Sequence, residues 1–329
     1  MLVAVAVVGG SAWAAMGAEA PVTAELVRVV KIGDGAKHNA FTDLVRFKDQ
    51  WYCAYREGDA HVSKSGKLRV LRSADGEAWE SAGLLEHPEY DLRDAALSVM
   101  PDGRLMLLGG AQQATDKSHP TGTVVSFSDD GAAWSAPELV LPLGQWLWRV
   151  TWHGDKAYGI AYATTPGATY SLQSTADGVH FEEIPLIEQP PAGGRLTEAR
   201  IRFDADGTAY CLQRRDGPAT SALWGKAAPP YRDWQWQDMG MYFGGPNFIK
   251  TRAGDWIGAG RIIDGAAHAD VTWIDAEQGR MVSLLKLPSG GDCSYPGLVW
   301  HDGLLWISYY SSHEGRTSVY LAKVRIEKK

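Results

Sequence analysis

The 329-residue sequence contains only three cysteines, Cys53, Cys211 and Cys293. Their spacing matches neither a metal-binding motif nor the dense pairs of a disulfide framework, and an odd number leaves at least one of them unpaired. The sequence also lacks a Gly-rich phosphate loop and a serine elbow motif. We therefore expect neither a cofactor nor a metal ion.

Positive charge is scarce as well. Lys and Arg total 32 against 39 Asp and Glu, the formal net charge is -7, and no run rich in Lys or Arg occurs. Nucleic acids and anionic membrane surfaces bind basic patches. We therefore expect neither of them as a partner.

The sequence has one notable apolar run, MLVAVAVVGG, at its start. The run is too short to span a membrane, and small residues follow it at Ala12, Ala14, Ala18 and Ala20, as in a secretion signal. We therefore interpret residues 1–20 as a signal peptide and residues 21–329 as a single domain. The protein is then expected to be secreted or periplasmic, with no membrane insertion after signal removal.

An internal repeat organises the rest of the chain. Six segments each contain an apolar strand, a tight turn with Asp or Gly, and a second apolar or aromatic strand. The turns centre near Asp49, Asp102, Gly154, Asp206, Gly254 and Asp302, at intervals of 53, 52, 52, 48 and 48 residues. No segment has a sustained helical period. A repeat of about fifty residues with this content predicts an all-β fold, a six-bladed β-propeller of four-stranded blades.

Residues near the start of each predicted inner strand are expected to converge on the propeller axis. In chain order these residues are Asp43, Asp94, Arg149, Glu198, Asn247 and Tyr295. Acids, a base and a phenol on one rim make a candidate site. The 14 Trp and 13 Tyr of the sequence suit either packing between blades or stacking on sugar rings.

A second, shorter repeat is found in SADGEAW at Ser73, SDDGAAW at Ser128 and the degenerate TADGVHF at Thr175. Its hydroxyl and Asp side chains can bond backbone N–H groups and close a turn. The pattern resembles the Asp-box of the sialidase superfamily, one residue shorter than its commonest form. The resemblance implies a sialidase-like propeller with these turns away from the active face.

Three segments resemble the sialidase site motifs. LTEARIRFDADGTAYCLQRRDG is similar to the segment with the catalytic Glu and a pocket Arg, which implies Glu198 as a base and Arg214 or Arg215 as the arginine. SYPGLVWHDGLLWISYY is similar to the segment of the nucleophilic Tyr, which implies Tyr295, within hydrogen-bond reach of Glu198. AYREGDAHVSKSGK places Asp59 and His61 near the position of the acid/base residue.

The arginine triad of sialidases is incomplete in this sequence. His38, Asn39 and Ala40 stand where the first arginine is expected, and His268 stands near the third, with Arg261 close by. Losing a desolvated charged contact costs about 2–5 kcal/mol. We therefore expect weak or no cleavage of sialosides, whereas a neutral sugar could use His38, Asn39 and His268 as partners for its hydroxyl groups. The other substrate-binding candidates are Asp43, Arg56, Asp94 and Arg149.

The leading hypothesis is an exported, sialidase-like exo-glycosidase that releases a terminal sugar from a glycan. A polysaccharide lyase is an alternative, since a Tyr and a His can remove and return protons beside a uronate. A non-catalytic carbohydrate-binding propeller is a second alternative. Unsaturated products would identify a lyase, and binding without turnover would identify a binding module.

Overall fold

The computed structural model describes residues 19–113, 120–165, 169–217 and 220–329. These residues form six antiparallel sheets, the blades of a six-bladed β-propeller, which confirms the predicted fold. They contain no helix, and hence none able to cross a membrane. The expected signal peptide lies outside the described residues, except for Glu19 and Ala20.

The strands follow one another blade by blade. The chain begins with β1 (Val22–Gly33). Blade 1 comprises β2 (His38–Phe47), β3 (Gln50–Gly58), β4 (Lys67–Ser73) and β5 (Glu80–Leu85). Blade 2 comprises β6 (Tyr90–Val99), β7 (Leu105–Gln113), β8 (Gly122–Ser128) and β9 (Glu138–Leu139). Blade 3 comprises β10 (Gln145–Leu147), β11 (Thr151–His153), β12 (Lys156–Ala163), β13 (Ser171–Thr175) and β14 (Glu182–Ile184).

The second half of the ring is more regular. Blade 4 comprises β15 (Arg195–Phe203), β16 (Ala209–Asp216), β17 (Ser221–Ala227) and β18 (Gln235–Tyr242). Blade 5 comprises β19 (Gly244–Lys250), β20 (Trp256–Asp264), β21 (Ala266–Asp275) and β22 (Arg280–Lys286). Blade 6 comprises β23 (Cys293–His301), β24 (Leu304–Ser311), β25 (Ser318–Lys328) and the N-terminal β1.

Strand β1 closes the ring. It pairs with β25 from Val22 opposite Lys328 to Gly33 opposite Val319, so the first strand completes the last blade. Where blade 6 meets blade 1, Trp51 of blade 1 stacks on Trp306 of blade 6 with ring centroids 4.2 Å apart. Closure completes the fourth strand of blade 6 and holds the six inner strands around one axis.

Five of the six innermost strands carry a bulge near the same end, with two residues opposite one on the next strand. The bulges lie between Ala40 and Asp43, Arg93 and Ala96, Leu196 and Ala199, Gly244 and Asn247, and Ser294 and Gly297. The first bulged residue has positive φ in four of these blades, with values of 62° at Phe41, 56° at Asp94, 59° at Gly245 and 51° at Tyr295. Bulges redirect side chains, and these turn them toward the axis.

The sequence predicts that six residues lie at the starts of the inner strands, but the structure places them inside the strands or in a gap between two strands. Asp94 and Tyr295 are equivalent first residues of a bulge, inside β6 and β23. Asp43 and Asn247 end their bulges and are equivalent to each other. Arg149 lies in the gap between β10 and β11. The predicted positions are wrong by a few residues because each inner strand begins earlier than its apolar run.

The three short Asp–Gly turns share one geometry. In the turn after β8, the Asp130 carboxylate accepts the N–H groups of Ala132 and Ala133, both at 2.8 Å, and Ser128 Oγ accepts the N–H of Gly131 at 2.8 Å. A Cβ on Gly131 would lie 2.3 Å from Tyr52 of blade 1. The turn therefore needs glycine because it packs closely on the preceding blade.

The three cysteines are all free and buried, and they lie on separate blades.

Candidate active site

Tyr295 and Glu198 meet at the bulged end of the axis. The Tyr295 hydroxyl donates a hydrogen bond to Glu198 Oε1, although the two residues belong to blades 6 and 4. Both side chains are buried. Burial and the neighbouring charges of Glu198 and Asp94 raise the pKa of the Tyr295 phenol well above its ordinary value. A strong partner must accept this proton before the phenolate can act.

Three donors hold Glu198 in its ionised form: the Tyr295 hydroxyl, Arg214 and the N–H of Gly245. Arg214 Nη1 contacts both of its carboxylate oxygens at 2.8 and 2.7 Å, and the N–H of Gly245 donates to Oε2 at 3.0 Å. Burial opposes ionisation, but Arg214 and the hydrogen bonds outweigh it and lower the pKa of the carboxyl group. Arg214 Nε also donates to Asp216 at 2.9 Å. Arg214 therefore serves Glu198 and is not free to grip a substrate carboxylate.

Two other arginines flank Tyr295. Arg261 Nη1 donates to the Cys293 carbonyl at 3.3 Å, and within the described ranges it has no carboxylate partner. Arg93 lies over the Phe41 ring at 4.9 Å and donates to Gln112 at 3.1 Å. Both guanidinium groups interact electrostatically with Tyr295. Arg93 comes from blade 2, yet it covers the part of blade 1 where the sequence lacks an arginine.

Asp94 is the second carboxylic acid candidate at the axis. It is buried, its Oδ1 has no hydrogen-bond partner among the described residues, and its nearest cation is Arg93 Nε at 3.7 Å. Burial raises the pKa of this carboxyl group to about 6; Arg93 lowers the pKa and Glu198 raises it. Such a group holds a proton at mildly acidic pH and can deliver it.

A cluster of two imidazoles and one carboxylate lies beside the pair. Asp292 Oδ2 is 2.9 Å from His38 Nε2 and 2.7 Å from His61 Nδ1, and the Tyr310 hydroxyl donates to Asp292 Oδ1 at 2.9 Å. The Phe41 ring contacts the His61 ring at 5.1 Å and the Tyr295 ring at 5.0 Å, and so separates the cluster from the nucleophile candidate. These are the side chains at this end that suit a metal ion.

Two of the sequence candidates face away from Tyr295 as a buried ion pair. Arg149 Nη1 lies 2.7 Å from Asp43 Oδ1, and Arg149 Nη2 donates to the Thr42 carbonyl. Asp43 also accepts the N–H of Leu97 and lines a cavity of about 280 Å³ farther along the inner strands. This pair joins blades 1 and 3, and neither Tyr295 nor Glu198 lines the cavity beside it.

The remaining candidates have internal partners. Arg56 is fully buried and donates to Asp91 at 2.8 and 3.0 Å. Arg215 donates to Asp238 and to the Ser221 carbonyl. Asn39 bonds only backbone groups, the N–H and carbonyl of Ala36 and the carbonyl of Thr317. Asp59 contacts Ser65 and Lys37, and His268 contacts Asp264 and Asp270.

Sequence reasoning missed Asp292 and Tyr310 and underrated Arg93. Asp292 lies three residues before Tyr295, and Tyr310 lies opposite Ser294 on the next strand. The sequence offered one indication of Asp292: it is a charged residue directly before β23, the apolar strand that carries Tyr295. Nothing in the sequence indicated that Asp292 meets His38 and His61, which lie more than two hundred residues away along the chain.

Comparisons with known proteins identify relatives by fold. No family model and no curated protein matches the sequence. Among solved structures, a protein of unknown function from Dyadobacter fermentans is 17% identical, with a TM-score of 0.79, over 93% of this chain and 100% of that one. The α-L-arabinofuranosidase of Fusarium graminearum with an iminosugar inhibitor is 14% identical, with a TM-score of 0.70, over 91% and 98%.

The Trypanosoma rangeli sialidase in complex with the inhibitor DANA is a further structural relative. It is 12% identical, with a TM-score of 0.67, and the match covers 91% of this chain but 59% of the sialidase chain. At such identities the likeness concerns the fold. The chain therefore shares the six-bladed propeller fold of an arabinofuranosidase and of the propeller part of a sialidase.

Proposed function

We propose that the chain is an exported glycoside hydrolase that releases a terminal sugar, with Tyr295 as nucleophile and Glu198 as its base. The observation that carries the proposal is the hydrogen bond from the buried Tyr295 hydroxyl to Glu198. A structural tyrosine needs no ionised carboxylate fixed by Arg214 and a backbone N–H. The solved relatives that act on arabinosides and sialosides support the same class of substrate.

In the proposed first step, Tyr295 Oη attacks the anomeric carbon while its proton passes to Glu198. The bond from that carbon to the leaving oxygen breaks, and Asp94 gives its proton to that oxygen. A glycosyl-tyrosine and a free alcohol result. In the second step, water attacks the same carbon, Asp94 takes up a proton from the water, and Glu198 returns its proton to the phenolate. Two displacements retain the anomeric configuration.

The proton transfer needs electrostatic support, since the pKa of Tyr295 is raised and that of Glu198 is lowered. Arg93, Arg214 and Arg261 all interact with the phenol, and they stabilise the negative charge that develops on it. The transfer is therefore expected to accompany attack and not to precede it. Free Tyr295 stays protonated at neutral pH.

We further propose that the pocket prefers a sugar with one carboxylate. Arg214 is occupied by Glu198 and Asp216. Arg261 donates to a backbone carbonyl, and Arg93 donates to an amide and lies 3.7 Å from Asp94, which carries a proton in the proposed first step, so both can bind an added anion. Two guanidinium groups are fewer than the three of a sialidase. A sialoside is therefore expected to be cleaved weakly for lack of the third contact, and a uronic acid glycoside, which also carries one carboxylate, is the second acidic sugar to test.

The experiment is an assay of purified protein on aryl uronides, arabinofuranosides and sialosides. Tyr295→Phe should reduce kcat by roughly 10³-fold or more on the best substrate, because it removes the nucleophile. Tyr309→Phe is the matched control, since Tyr309 lies on the same blade but donates to the Pro288 carbonyl. Turnover by Tyr295→Phe within tenfold of the wild type would rule out the nucleophile, and an unsaturated product would identify a lyase.

A further inference from the structure

The side chains of His38, His61 and Asp292 form a cluster that the proposed reaction does not use. Their ligand-type atoms, His38 Nε2, His61 Nδ1 and Asp292 Oδ2, all lie within 4.8 Å of one another. They come from three separate segments: the start of β2, the loop after β3 and the residue before β23. Such a convergence is built by the tertiary structure and not by local sequence.

The cluster differs from the other histidine–acid contacts of the described chain. His180 and Asp177 are three residues apart on an exposed turn, and His301 pairs with its neighbour Asp302. His268 contacts Asp264 and Asp270, but all three lie on one hairpin of blade 5. In the cluster, one carboxylate oxygen faces two imidazole nitrogens from distant segments. Each imidazole N–H donates a hydrogen bond to that oxygen, and the same three atoms can act as ligands once a metal ion replaces the two protons, because imidazole nitrogen and carboxylate oxygen are both Zn²⁺ ligands.

The surroundings fix two of the ligands and leave one adjustable. The His38 side chain is 8% exposed and Asp292 is 26% exposed, whereas His61 is 51% exposed on a loop. Tyr310 donates to the second oxygen of Asp292, so it orients the carboxylate with Oδ2 toward the imidazoles. An outer hydrogen bond that orients a ligand in this way is a general feature of metal sites.

We propose that His38, His61 and Asp292 bind a divalent first-row transition metal ion, with Zn²⁺ as the ion that fits best. Two imidazole nitrogens and one carboxylate suit Zn²⁺, whereas Ca²⁺ and Mg²⁺ prefer oxygen ligands. Bonds of about 2.0–2.1 Å place tetrahedral ligands roughly 3.3 Å apart. The nitrogen-to-oxygen distances of 2.7 and 2.9 Å need to open only slightly, which the exposed His61 can accommodate.

Three protein ligands leave a fourth position for water or a sugar oxygen. Phe41 separates the cluster from Tyr295, so the ion binds beside the reaction centre and takes no part in the displacement. When a sugar is bound, the fourth ligand of the ion is a hydroxyl or carboxylate of that sugar. The metal site does not rest on the proposed glycosidase activity, because its test measures binding.

The test uses the full chain without a histidine tag, after treatment with a chelator and dialysis. Calorimetric titration with ZnCl₂ at pH 7.5 should give one ion per chain with a Kd of about 1 µM or lower, and Co²⁺ should give visible d–d absorption bands. His61→Gln and Asp292→Asn should each weaken Zn²⁺ binding by at least about tenfold. His180→Gln, which alters the exposed His–Asp pair on the turn after β13, should bind as the wild type does.

Thermal unfolding separates loss of the site from loss of the fold. Zn²⁺ should raise the Tm of the wild type and of His180→Gln, but not that of His61→Gln, whose half-exposed side chain can change without unfolding the chain. If Asp292→Asn fails to fold, His61→Gln alone decides. No binding in the wild type, or equal binding in His61→Gln and the wild type, would overturn the proposal.

Discussion

The Asp94→Asn substitution tests the charge state on which the proposed reaction depends. Burial raises the pKa of Asp94 from 3.8 to about 6 in the folded protein, while Arg93 partly offsets this effect and Glu198 adds to it. In the unfolded chain the carboxyl group is in water and its pKa returns to the ordinary range. Asp94 therefore makes folding less favourable at any pH at which its carboxyl group is ionised in the unfolded chain.

The shift of about 2 pKa units corresponds to about 3 kcal/mol, since one unit is about 1.4 kcal/mol. Below about pH 4 both states hold the proton, and Asp94 has no ionisation cost. As the pH rises from about 4 to 6, the unfolded state loses its proton first, so the contribution of Asp94 to stability falls. Above about pH 6 both states are ionised and the full loss remains.

The assay is urea unfolding of the wild type and of Asp94→Asn between pH 4 and pH 7. The variant has no proton to release, so its unfolding free energy minus that of the wild type should rise by up to about 3 kcal/mol over this range. Asp59→Asn is the control, because the pKa of Asp59 is lowered by Ser65 and Lys37. Its difference should stay nearly constant over this range, because a lowered pKa places the titration of Asp59 below about pH 4 in both states.

A difference for Asp94→Asn that stays constant with pH would refute the reasoning, because Asp94 would then ionise alike in both states. The same variant has a kinetic signature. It should lose activity on glycosides with poor leaving groups and keep more on those with acidic leaving groups, which need no proton. Wild-type activity on the first kind should decline as the pH rises through about 6, when Asp94 loses its proton.

Three further outcomes are expected. Gly297→Ala places a Cβ 2.1 Å from a backbone nitrogen of β2 and should destabilise the protein by at least about 2 kcal/mol in urea, whereas Gly290→Ala, with 3.7 Å to its nearest neighbour, should change little. Asp130→Ala removes the acceptor of two turn N–H groups and should lower the urea midpoint without changing turnover, and Asp129→Ala in the same turn should have less effect. A chain ending at Pro288 lacks β23, β24 and β25, the three strands that form blade 6 with β1, so it should show no cooperative unfolding transition, and a folded fragment would contradict this view of closure.

The fold could be predicted because its signals are local. Each hairpin needs a turn with positive φ, and the structure has φ of 60° at Asp49 and 49° at Asp302, where the sequence predicts turns. Hydrogen bonds within four residues form the short turns, such as the one at Asp130. Six such units at nearly equal spacing can bury their faces only against one another, which specifies a ring.

The site could be predicted in part. Similarity to sialidase motifs pointed to Tyr295, Glu198 and either Arg214 or Arg215, and in the structure Tyr295 and Arg214 both bond Glu198. Their catalytic roles remain predictions. The sequence assigned this arginine to the substrate, but in the structure it pairs with the buried Glu198 and the partly buried Asp216, whose charges it neutralises first.

Sequence by itself determined the number of blades, the turn positions and the residue types available at the axis, since these follow from short-range pattern. Tertiary structure alone decided which of those residues meet. A bulge sets Asp94 beside Tyr295 and leaves Asp43 to pair with Arg149, and this choice depends on how each inner strand pairs with the next. Asp292 joins His38 only because ring closure brings blades 6 and 1 together, a contact that no local pattern encodes.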